Sequence, residues 1–159
     1  MNSSSSIIQI IQLMLAPGLM ISACGLLLLG MNNKYSLVVN RIRLLNEERR
    51  RFLLKKSGKE FDYEESIRLE SISKQVSALL TRVKLVRNAV LSYTIAVAFF
   101  VLTSLFIGLQ FASQNIEITL LIICLFLLGM ISVLVGIIFA AYETKKGYDI
   151  IHLEVKIDE

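Results

Sequence analysis

Few residues in this chain have the types and spacing that chemistry needs. His152 is the only histidine in 159 residues, and it has no cysteine nearby, so it reads as a surface or interfacial residue, not a metal ligand. There is no Gly-rich phosphate loop, no nucleophile elbow and no paired catalytic carboxylates. The polar side chains that stand out are amides. Gln9 and Gln12 share a helix face that Ala16 continues, and in an apolar environment such groups seek a hydrogen-bond partner. Two uses fit them: an interhelical hydrogen bond, or a polar ring lining the pore of a symmetric oligomer. Enzymatic activity is not expected, and no cofactor or metal is implied.

The elements that carry these residues are apolar and long. Hydrophobic residues make up 55% of the chain, with a single proline and a mean hydropathy of +0.65, too apolar for an ordinary soluble domain. Residues 1–33 carry no charge, and within them residues 7–31, "IIQIIQLMLAPGLMISACGLLLLGM", can cross a hydrocarbon core of ~30 Å at ~1.5 Å per residue. Residues 89–111, "AVLSYTIAVAFFVLTSLFIGLQF", and 120–141, "LLIICLFLLGMISVLVGIIFAA", are equally free of Asp, Glu, Lys, Arg and His. Three transmembrane helices follow. Proton relays and ion-coupled sites lack their usual parts in such spans. Cys24 should lie about 10 Å from the inner boundary and Cys124 about 8 Å from the outer one, so a ~30 Å core keeps them apart as small packing residues.

Pro17 either kinks the first helix or begins it at N1, leaving residues 7–15 as a separate interfacial piece. The N-terminal segment lacks the positive n-region of a signal peptide. "ISAC", residues 21–24, has the outline of a lipoprotein cleavage box, but "GLLLLG" follows it where a polar tether belongs. Small residues mark the packing faces: Gly18 and Ser22 on the first helix, and Ser132, Gly136 and Ala140 on the third, recur every four positions and let backbones approach.

Charge sets the orientation. Fourteen of the seventeen Lys and Arg lie between residues 34 and 87, and the other three, Lys145, Lys146 and Lys156, lie in the tail. The positive-inside rule then places the long loop and the C-terminus in the cytoplasm and the N-terminus outside, the alternation that three spans require. The basic run "LNEERRRFLLKK", residues 45–56, is therefore first an orientation signal. Beside a membrane, anionic lipid headgroups are a nearer partner for it than nucleic acid.

The same segment carries a heptad rhythm. Val38, Ile42, Leu45 and Phe52 on the incoming arm alternate spacings of three and four with Leu28, Met31, Tyr35, Arg49 and Lys56. On the outgoing arm Leu69, Ile72, Val76, Leu79 and Val83 do the same, and the pattern runs on through Val86, Val90 and Tyr93. Two such seams in opposite directions imply an antiparallel hairpin, turning near residues 57–62 at "SGKEFDY". Partners whose numbers total about 121 would pair Phe52 with Leu69, Leu45 with Val76, Ile42 with Leu79 and Val38 with Val83. Arg49 against Ile72 is the one imperfect layer, and Arg43 and Lys74 are expected to stay wet. A basic helix that docks a cytoplasmic protein partner is the functional alternative for the arm.

The run "LAPGLMISACGLLLLGMNNKYSLVVNRIRLLNEE", with Pro17 inside an apolar helix that exits through Asn33 and Lys34, resembles the bacterial family catalogued as domain of unknown function 2721. The likeness extends over the central charged segment and both later spans. It implies a small bacterial inner-membrane protein with three spans, and brings no reaction and no binding residues. The tail "YETKKGYDIIHLEVKID" departs from the family's helical tails, with Gly147 and with Leu153, Val155 and Ile157 in strict alternation, a strand-like period.

The expected fold is all-α: residues 1–31 form an outside N-terminus and first span, 32–88 a cytoplasmic antiparallel helical hairpin, 89–111 the second span, 112–119 an external loop, 120–141 the third span and 142–159 a cytoplasmic tail. Three spans of this kind rarely enclose a cavity alone. The expected function is a homo-oligomeric scaffold or regulatory subunit presenting its stalk in the cytoplasm; the alternative is an oligomeric channel with a largely uncharged lumen.

Overall fold

The computed structural model describes residues 3–55, 63–112 and 118–157. Three helices account for them: α1 (Ser3–Lys55), α2 (Tyr63–Ala112) and α3 (Thr119–Ile157). The turn expected near residues 57–62 lies outside the described residues, as do residues 113–117 of the expected loop. Each helix contains a stretch long and apolar enough to cross a membrane, with mean hydropathies of 2.1, 2.3 and 3.1 in chain order. The protein is a multi-pass membrane protein of all-helical fold. Unbroken helices are what an apolar solvent demands, because every backbone N–H and C=O there must be paired within the chain. Beyond the spans the sequence is rich in Leu, Glu, Lys and Arg, all good helix formers, so nothing stops the helices where the apolar runs end.

Pro17 lies inside α1 and is fully buried, which removes the alternative of a helix beginning at this residue. One backbone donor is lost, and a buried membrane helix tolerates that loss better than an exposed one. The tail is a correction as well. α3 continues to Ile157, so residues 153–157 are helical and not strand-like. The alternating residues also satisfy a helical period, since Ile150, Leu153 and Ile157 are spaced by three and four.

Burial follows a seven-residue rhythm in all three helices. On α1 the buried positions are Pro17, Cys24, Met31, Val38 and Leu45. On α2 they are Ile72, Leu79, Val86, Tyr93, Phe100 and Ile107, with a second series of Ala89, Ala96 and Thr103 between them. On α3 they are Gly129, Gly136 and Glu143, with Gly147 one turn further on. A heptad keeps one stripe facing a partner helix. Two interleaved series on α2 mark it as the helix covered on more than one side, and 28% of its apolar window is buried against 11% for α1 and α3.

The chain forms two compact units. The first comprises Met1–Met31 and Asn88–Phe139. Its core gathers Cys24, Ala96 and Phe100, with Met20, Ile21, Val97, Phe126 and Val133 packed around them. The Phe100 and Phe126 rings lie 5.5 Å apart at 58°, a tilted geometry that suits their quadrupoles. Two glycines seat aromatic rings. A Cβ at Gly129 would come within 2.7 Å of Phe100 Cε1, and one at Gly136 within 2.5 Å of Tyr93 Cε1. Ring against glycine is the close packing this unit uses. Hydroxyls bond back along their own helix: Thr103 Oγ1 donates to Phe99 O at 2.8 Å and Ser92 Oγ to Asn88 O at 2.9 Å, which satisfies them without water. Leu26, Leu105 and Leu120 are exposed at 74%, 64% and 78%, a surface built to meet lipid.

The second unit comprises Asn32–Arg87 and Ala140–Glu159. Val38 and Leu45 of α1 and Ile72 and Leu79 of α2 form its buried cluster, with Ile42, Phe52, Val76 and Val83 packed against it. Leu69 is half-buried. Tyr35 and Arg49, counted in the seam by spacing, are exposed, so at both positions the side chain turns out of the seam. Arg43 and Lys74 are exposed. Glu48 and Arg68 join the two arms at 3.0 Å, while Glu47–Arg51 and Glu70–Lys74 are exposed pairs one turn apart, at 2.8 Å each. Surface pairs of this kind contribute little.

Candidate functional site

Among the described residues the second unit holds one charged group that is fully buried. Glu143 follows Gly129 and Gly136 on the seven-residue stripe of α3, and its side chain is 1% exposed. A carboxylate removed from water costs several kcal/mol unless it is paired and hydrogen-bonded. Both oxygens are paired. Arg82 of α2 donates from Nε at 3.2 Å and from Nη2 at 2.7 Å to Oε1. Lys34 of α1 donates from Nζ to Oε2 at 2.9 Å. One carboxylate thus ties three helices together.

Neighbouring residues make the geometry fit. Arg82 stands on the seam face of α2, between buried Leu79 and Val86. Gly147 lies one turn beyond Glu143, and a Cβ there would come within 2.9 Å of Arg82 Nη2. The glycine leaves the guanidinium room to approach α3 closely. Lys34 stands one turn before buried Val38, and its ammonium also bonds Thr144 Oγ1 at 3.1 Å. Thr144 in turn donates to Ala140 O at 3.0 Å. Around these groups lies an open groove of about 350 Å³, lined by Lys34, Leu37, Val38, Arg82, Glu143, Thr144 and Gly147.

The arrangement can hold charge. Both Glu143 oxygens accept from cations, so neither is poised to take a proton. Among the described residues no group of three or more His, Cys, Asp or Glu is placed to hold a metal ion. Among the described residues two cations face one anion, a net positive charge.

The sequence-selected residues fall in several places. The stalk seam residues Val38, Ile42, Leu45, Phe52, Ile72, Val76, Leu79 and Val83 share one cluster. Gly136 is buried under Tyr93, and Ser132 and Ala140 are half-buried. Gly18 has nothing within 4 Å, and Ser22, also exposed, donates to Gly18 O at 3.3 Å; neither packs on the chain's own helices. Gln12 is exposed, and the side chain of Gln9 lies outside the described residues. Cys24 is buried and Cys124 exposed, both as free thiols.

A family model described as "Protein of unknown function (DUF2721)" matches residues 14–153. The chain belongs to the DUF2721 family. That span covers most of the first apolar stretch and the whole of the other two, together with Lys34, Arg82 and Glu143. No curated protein and no solved structure matches the chain, so this DUF2721 protein takes no function from a relative. Sequence reading missed Glu143, because it stands just past the third apolar run, among the charges of the tail. The signal was its phase: it continues the Gly129 and Gly136 stripe, where a solvated residue does not belong.

Proposed function

We propose that this protein is a homo-oligomeric scaffold or regulatory subunit of the bacterial inner membrane, with the N-terminus outside and the residue 32–88 hairpin presented in the cytoplasm. No catalytic role is proposed. The observation that carries the reading is a set of bare leucines on the hairpin arm. Leu37, Leu44 and Leu54 of α1 are 70%, 61% and 65% exposed, although they lie outside the apolar run of the first span. A helical arm in water does not keep such residues bare without a covering surface. A neighbouring copy supplies one, and the exposed Gly18 and Ser22 on the same helix offer a close-packing face within the bilayer.

Subunit counting in mild detergent tests the assembly, and a monomer at all concentrations would overturn it. Planar-bilayer recording separates scaffold from channel: a sustained current through purified protein would favour a pore lined by the exposed Gln12. Topology is read independently. After Cys24→Ala and Cys124→Ala, a cysteine at Ser113 should label from outside intact cells, and one at Lys59 only after lysis.

A further inference from the structure

We infer that the groove beside Glu143 binds the phosphate group of an anion, held by Lys34 and Arg82. Charge is the first reason. Among the described residues Lys34 and Arg82 share a single carboxylate, which leaves one positive charge unmatched there. Donor geometry is the second. An ammonium has three N–H donors and a guanidinium five. Lys34 uses two, on Glu143 and Thr144. Arg82 directs Nε and Nη2 at one oxygen of Glu143. Its other N–H groups have no partner among the described residues, and none is a buried unsatisfied donor; Arg82 itself lines the open groove. Planar N–H pairs of this kind match phosphate oxygens two at a time.

Shape gives the third reason. The groove, about 350 Å³, has Gly147 beneath Arg82 and Leu37 and Val38 along its wall. A cationic end beside an apolar wall suits a phosphate that carries an organic group. By chain position, Lys34 comes three residues after the first apolar run and Glu143 two after the third, within about 5 Å of the span ends at ~1.5 Å per residue. That is headgroup depth. A phospholipid headgroup and a free phosphate share the recognised chemistry; only the depth rests on the membrane reading proposed above.

The test uses the full chain in two arms. In the lipid arm, protein in nanodiscs of phosphatidylcholine doped with phosphatidylglycerol is analysed by native mass spectrometry for retained lipid. In the soluble arm, inorganic phosphate is titrated against the detergent-solubilised protein and followed by thermal shift, with chloride at matched ionic strength as reference. Wild type should retain phosphatidylglycerol over phosphatidylcholine or be stabilised by phosphate, and the responding arm identifies the source. Lys34→Gln should weaken the response about tenfold, the loss of one charge-assisted hydrogen bond, and Lys34→Arg should restore it. Glu143→Gln should strengthen it by removing the competing anion. Arg51→Gln, an exposed cation on the same helix, should change neither arm. No preference for phosphatidylglycerol and no response to phosphate would overturn the inference, as would a response that Lys34→Gln leaves intact in folded protein. Phosphate binding together with a reversed labelling pattern at Ser113 and Lys59 would keep the groove and its depth and overturn the proposed orientation alone.

Discussion

Glu143 shows how one residue can be expensive and still settle a local arrangement. Its carboxylate is buried, and two cations from two other helices neutralise it. Buried ion pairs seldom add stability over a well-packed apolar core, whereas removing one partner leaves a poorly solvated charge without its counterion. Arg82 is the better enclosed cation, its side chain 22% exposed against 44% for Lys34. Glu143→Leu should therefore destabilise the folded protein by about 3 kcal/mol, because Arg82 is stranded. Arg82→Met combined with Glu143→Leu should recover most of that loss, since the pair is replaced by apolar volume. Thermal unfolding of the single and double variants in one detergent checks the cycle. A double variant no more stable than the worse single would show that Arg82 matters through its packing and not through Glu143.

At the scale of the elements, the heptad was the legible feature. Its apolar positions in the hairpin form one cluster, since a repeat of 3.5 residues is a direct record of which side faces a partner. The helical extent of α1 and α3 was less legible. Proline within α1 and a five-residue alternation in the tail each suggested a break, but the helices run through both. Local cues lost to the pairing of backbone groups along a continuous helix. The glycine contacts were half legible. A spacing of four selected Gly136 with Ser132 and Ala140, whereas the glycines that seat rings are Gly129 and Gly136, seven apart. The prediction at this scale is steric. Gly136→Ala forces a Cβ to within 2.5 Å of Tyr93 Cε1, and overpacking of this kind costs about 1–3 kcal/mol. Tyr93→Leu in the same chain should relieve part of it. Gly18→Ala meets nothing within 4 Å in its own chain, so it should leave monomer stability unchanged and act, if at all, on assembly. A stability loss for Gly18→Ala at a fixed subunit count would contradict the open face.

For the whole molecule, the question is which surface is inner and which is shared. Adjacent residues on α1 separate the two. Leu45 is 4% exposed within the hairpin cluster, and Leu44 beside it is 61% exposed. A carboxylate at the first position must be buried among Val38, Ile72 and Leu79, which isolated charges do not tolerate. A carboxylate at the second meets only what covers the outside of the arm. Leu45→Asp should unfold the hairpin, seen as lost helicity and faster proteolysis between residues 55 and 63. Leu44→Asp should keep the hairpin's protection and lower the subunit count. The intrachain partner is fixed by a second measurement. With Cys24 and Cys124 replaced, Leu45→Cys paired with Val76→Cys should crosslink rapidly within one chain, since both residues belong to one packed cluster and a disulfide spans only about 5.5 Å between Cα atoms. Crosslinks between chains alone would assign the Leu45 seam to a neighbour. Leu44→Asp with an unchanged subunit count would mean that this face does not join copies of this chain, and the exposed leucines would then belong to a different protein partner.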